Sequence, residues 1–86
     1  MNSQPNLNKP FGAVLKRLRQ ARNFSQEELA FRCSVSRNYL ALLEAGENSP
    51  TLNRLAAIAS ALELPLPELL AQVQTEAGIP PHAAAT

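Results

Sequence analysis

The chain has 86 residues, a formal net charge of +1 and one cysteine. That length supports one domain with one modest core. A single cysteine excludes an internal disulfide and a zinc site.

Residues 1–8 have no useful periodicity and read as a disordered N-terminal tail. A first helix begins after Pro10 and runs to about Arg22, with Phe11, Val14, Leu15 and Leu18 on its apolar face. Asn23 ends it, and Phe24 plugs the core from the turn. Ser25 is a helix N-cap, and Glu28 three residues later completes a capping box. The second helix covers 26–33, with Leu29, Ala30 and Cys33 on one face. The apolar run stops at Ser34 and Val35, and Ser36 caps a third helix over 37–45. Leu40 and Leu43 form the buried stripe of that helix, and Gly46 stops it.

A loop from Gly46 to Pro50 leads to a fourth helix from about Leu52, capped by Thr51. Leu55, Ile58, Ala59 and Leu62 recur there at helical spacing. Pro65 breaks the chain, and Pro67 suits the first turn of a fifth helix carrying Leu69, Leu70 and Val73. Residues 75–86 read as a flexible C-terminal tail that includes His82. The fold class is therefore all-α, a compact five-helix domain over 9–74 with no strand signal. Ala30 stands ten residues before Leu40, and its small side chain allows helices 2 and 3 to cross closely. That is the spacing of a helix-turn-helix, whose second helix lies in the DNA major groove.

Three blocks carry a family resemblance: LKRLRQARNFSQEELA from Leu15 to Ala30, VSRNYLALLEAG from Val35 to Gly46, and SPTLNRLAAIASALEL from Ser49 to Leu64. In this order the chain resembles the Cro and phage-repressor-like DNA-binding domains, the XRE type, from about Phe11 to Leu70. The resemblance implies a lambda-repressor-like fold and a bacterial or phage-host cytoplasm. It also implies that Gln26 binds a phosphate, and that Arg19 and Glu44 pair helix 1 with the end of helix 3. Ser34 departs from the family, which usually has Gly in this turn, so a non-glycine residue is expected there at positive φ.

The residues themselves point to duplex DNA. Ser36, Arg37, Asn38, Ala41 and Leu42 lie at the start and outer face of helix 3, where base edges are read. Arg forks onto guanine and Asn onto adenine, each worth about 1–3 kcal/mol of discrimination. Arg37 could instead hold a phosphate, and Asn38 could be a solvated first-turn residue. Ala41 and Leu42 offer only apolar contacts, such as to a thymine methyl. Gln26, Tyr39, Asn48, Ser49 and Thr51 are the phosphate candidates, with capping alone the other reading of Ser49 and Thr51. Residues 1–37 hold seven basic groups against two acidic ones, and residues 38–86 hold one against five. This asymmetry suits steering toward phosphate.

One short reading helix cannot specify a site in a genome, so a homodimer on a palindromic operator is expected. Leu66, Leu69, Leu70 and Val73 are its candidate surface, their other reading being core. The function indicated is a transcription regulator, of which a repressor is the family's familiar form. A protein-interaction adaptor, or an antitoxin that binds DNA and an unknown partner protein, are the alternatives. No phosphate-binding glycine loop, Cys/His cluster or nucleophile–base pair supports an enzyme, and no cofactor or metal is expected. No basic stretch leads into an apolar segment at the start, and no apolar run approaches a membrane span. The location expected is cytoplasmic.

Overall fold

A computed structural model describes residues 6–80. Five helices follow one another: α1 Asn8–Ala21, α2 Gln26–Cys33, α3 Arg37–Glu44, α4 Leu52–Ala61 and α5 Leu66–Glu76. There is no strand among the described residues. α1 packs on α3 and α5, α2 on α3 and α4, and α4 on α5. The helices enclose one core, in which Val14, Leu15, Leu29, Leu40, Leu43 and Leu69 have no exposed surface. Each such side chain adds about 1.5–3 kcal/mol by leaving water. α3 is thereby held between α1 and α2 along its Leu40–Leu43 stripe.

The caps explain most boundaries. Ser25, Ser36 and Thr51 each accept, through the side-chain oxygen, the backbone N–H three residues on. A cap of this kind is worth about 1 kcal/mol. The capping box at Ser25 is only half made, because the Glu28 carboxylate accepts Arg32 Nε at 2.8 Å. α1 starts before Pro10, at Asn8, rather than after it. Pro10 is the third helical residue, where the N–H it lacks has no intrahelical acceptor, so the ring is tolerated. The first bond of the ladder is Phe11 N–H to Leu7 O, at 2.9 Å. The domain limits expected at 9 and 74 also fall inside the helices, since α5 continues to Glu76. Glu76 is held there by Arg17, whose Nη1 lies 3.0 Å away. Residues 1–5 and 81–86, with His82, lie outside the described residues.

All five helices end alike, with the last turn closed by paired backbone bonds such as Asn23 N–H to Gln20 O and Phe24 N–H to Arg19 O. This closure places one residue in the left-handed region. Gly46 and Gly78 fill that position after α3 and α5, but Asn23, Ser34 and Glu63 fill it after α1, α2 and α4. Ser34, at φ 59°, is the positive-φ serine that the family resemblance implies.

Candidate nucleic-acid interface

α3 is fixed at its C-terminal end. Arg19 of α1 forks onto the Glu44 carboxylate, Nε to Oε2 at 2.6 Å and Nη2 to Oε1 at 3.1 Å. The remaining arm, Nη1, donates to Phe24 O at 2.8 Å. Both side chains are nearly enclosed, at 11% and 5% exposure. Donating hydrogen bonds to Glu44 raises the Arg19 guanidinium further above its ordinary range, against the opposing effect of burial. The ion pair expected between these two residues is present.

Gln26 joins the same cluster. Its Nε2 donates to Glu44 Oε1 at 3.0 Å, so one N–H of the expected phosphate ligand is already spent on the scaffold. Gly12 completes the anchorage, since a Cβ there would lie 2.5 Å from the carbonyl oxygens of both Leu43 and Glu44. Only a glycine lets α1 approach the end of α3 this closely.

At the other end of α3, Ser36, Arg37 and Asn38 are exposed, while Tyr39, Ala41 and Leu42 are half-buried along its flank. Ser36 Oγ is used as the cap for Tyr39 N–H, at 3.0 Å. The fork of Arg37 and the amide of Asn38 make no hydrogen bond or ion pair among the described residues. In the loop that follows, Asn48 Oδ1 accepts Ser49 N–H at 2.9 Å and Thr51 Oγ1 accepts Arg54 N–H at 3.1 Å. Arg54, absent from the sequence candidates, lies over the Tyr39 ring with its guanidinium carbon 4.7 Å from the centroid. A signal was present: it is the only basic residue after position 37.

The charge asymmetry of the sequence is largely cancelled by folding. Arg17, Arg19 and Arg22 pair with Glu76, Glu44 and Glu63 from the acidic half, and Arg32 pairs with Glu28. Lys9, Lys16, Arg37 and Arg54 keep their charge without an ion pair among the described residues. The lysines belong to α1, whereas the two arginines stand in the first turns of α3 and α4.

The expected dimer surface is corrected by the core. Leu69 is fully buried and Val73 is 3% exposed within one copy of the chain, and Leu66 packs against the same core. Only Leu70 is exposed, at 41%. α5 is long enough to need these side chains inward, to close the core over α1 and α4. Leu70 instead borders a groove of about 160 Å³ shared with Leu7, Phe11, Pro50 and Leu55.

Cys33 is a buried core residue whose thiol is pushed up by desolvation, which keeps it unreactive. No cluster of metal-ligating side chains occurs among the described residues. No single helix there is long and apolar enough to cross a membrane.

Comparison with known proteins agrees with this geometry. The helix-turn-helix family profile matches residues 15–69. Control protein C.BamHI of Bacillus amyloliquefaciens is 34% identical over 61 residues, covering 70% of this chain and 75% of that protein. The restriction-modification controller protein C.AhdI of Aeromonas hydrophila superposes with a TM-score of 0.69 at 36% identity, over 73% of this chain and 94% of the other. The clp gene regulator ClgR of Corynebacterium glutamicum gives a TM-score of 0.81 at 28% identity, over 88% and 81%.

Proposed function

Since this chain belongs to the helix-turn-helix family, we propose that it is a transcription regulator that binds duplex DNA sequence-specifically through α3, as a homodimer on a two-fold operator. One observation carries the reading: α3 is locked at Glu44 while Ser36, Arg37 and Asn38 stand exposed at its start. A rigid helix with an open polar N-terminal turn is what entry into a major groove requires. The relatives that are controllers or regulators support the same direction. Gln26, Tyr39, Asn48, Ser49 and Thr51 then track the phosphates beside the groove, Gln26 through the N–H that Glu44 leaves available. The bare polar turn favours DNA over an adaptor surface, which would present aromatic or aliphatic anchors there.

Selection from random duplex DNA tests the reading. A two-fold site should emerge, with half-sites about 34 Å or roughly 10 base pairs apart. With about 6–10 phosphate contacts per dimer, affinity should fall about 10³–10⁵-fold between 50 and 200 mM salt. Absence of binding to any duplex at 50 mM salt would transfer the function to a protein partner.

The homodimer needs an exposed apolar contact, and after the core has taken Leu69 and Val73 the groove beside Leu70 and Leu7 supplies it. Both leucines are 41% exposed and border the same groove. Leu70→Glu should leave the helical content unchanged, shift sedimentation at micromolar concentration from dimer to monomer, and remove the concentration dependence of the melting temperature. A variant that stays dimeric places the two-fold surface elsewhere.

A further inference from the structure

α3 and α4 begin with the same device, and the third residue of one touches the third residue of the other. Tyr39 N–H is capped by Ser36 Oγ at 3.0 Å, and Arg54 N–H by Thr51 Oγ1 at 3.1 Å. Between them, the Arg54 guanidinium lies on the Tyr39 ring, 4.7 Å from its centroid. Stacking uses the flat face of a guanidinium and leaves its N–H edge free. The ring is itself half-buried and packed against the core, so it is a firm support. Arg54 makes no ion pair and no side-chain hydrogen bond among the described residues, unlike Arg17, Arg19, Arg22 and Arg32, which each meet a carboxylate. It also stands in a first helical turn, where the helix dipole disfavours a cation. A pre-ordered cation with unspent donors, placed against the dipole and beside the reading turn, calls for an external anion.

We propose that Arg54 binds a backbone phosphate flanking the groove that α3 reads, and that the Tyr39 ring is the platform presenting it. The inference rests on the DNA-binding reading and assigns Tyr39 a positioning role through its ring face. It makes lysine a poor substitute, because an ammonium has neither the plane nor the fork.

Binding of a selected duplex and a scrambled one, measured over a salt series, tests it with the full chain. Arg54→Met should lower the slope of log affinity against log salt by about 0.9 per protomer. It should weaken both duplexes alike and leave thermal melting unchanged. Arg54→Lys should keep the slope yet bind about two- to five-fold more weakly. In a Tyr39→Leu background, Arg54→Met should cost less affinity than in the parent. An unchanged slope for Arg54→Met, with the parent still binding, overturns this inference alone. Additive effects of the two substitutions overturn the platform. A parent that binds no duplex overturns the function reading and this inference with it.

Discussion

The two ends of α3 are built on opposite plans. At the C-terminal end, Glu44 is enclosed, forked by Arg19 and bonded by Gln26, and the backbone rests on Gly12. At the N-terminal end, Arg37 and Asn38 are exposed and without partners among the described residues. Both charges run against the helix dipole, which favours acids at the start and bases at the finish. For Glu44 the chain supplies its own remedy, an arginine from α1. For Arg37 it supplies none. One end is completed inside the protein, and the other is left open to solvent.

The sharpest way to break this contrast is to remove the internal remedy. Arg19→Met leaves the Glu44 carboxylate buried without its cation, which should cost about 3–5 kcal/mol. For a domain of this size that lowers the melting temperature by more than about 10 °C. Adding Glu44→Leu should recover much of the loss, since a well-packed apolar pair replaces the ions. Equal melting of Arg19→Met and the parent would show that the locked end is held by packing alone.

Gly12→Ala attacks the same end without touching charge. The new Cβ meets two backbone oxygens at 2.5 Å, and backbone cannot swing aside as a flexible side chain can. α1 and the end of α3 must separate, at a cost of about 1–3 kcal/mol in denaturant unfolding. A neutral result would mean that the two helices slide freely at their crossing.

Local physics is what a sequence displays best, and here it displayed the caps and the Leu40–Leu43 stripe, while the strained turn at Ser34 was legible through resemblance. Each of the first two depends on residues three or four apart. The anchored end was legible through resemblance, because nothing in local spacing joins Arg19 to Glu44 across 25 residues. Gly12 is silent in the sequence, since a glycine inside a helix declares its purpose only when the crossing helix is in place. Leu69 and Val73 fit either a core or a partner surface in the sequence, because an apolar side chain looks the same whether its own core or another copy covers it. The charge asymmetry shrinks on folding for a related reason: proximity along the chain is not proximity in space, and three arginines meet carboxylates of the opposite half.

At the open end, Arg37→Ala should behave in the reverse manner to Arg19→Met. Loss of the cation from the first turn of α3 should leave stability unchanged or raise it by about 0.3–1 kcal/mol. Discrimination at one base position should fall by about 1–3 kcal/mol. Cognate and mismatched duplexes separate the outcomes. If every duplex weakens equally, Arg37 clamps phosphate and Asn38 is left as the main reader.

The smallest effect concerns the turn that aims the open end. Ser34 sits at φ 59° and ψ 41° between α2 and α3, a conformation that costs an ordinary residue about 1–2 kcal/mol. Glycine removes that strain but gives the unfolded chain more freedom, about 0.5–1 kcal/mol in the other direction. Ser34→Gly should therefore stabilise the domain by about 0.5 kcal/mol and raise its melting temperature by about 2–4 °C. Asn23→Gly, at φ 60° after α1, should gain less, because asparagine tolerates the left-handed region better than serine does. DNA affinity should stay constant in Ser34→Gly, since the turn already holds α3 in the orientation that glycine would adopt without strain. A fall in affinity together with a rise in melting temperature would show that the serine hydroxyl, exposed beside the reading turn, contributes to the contact itself.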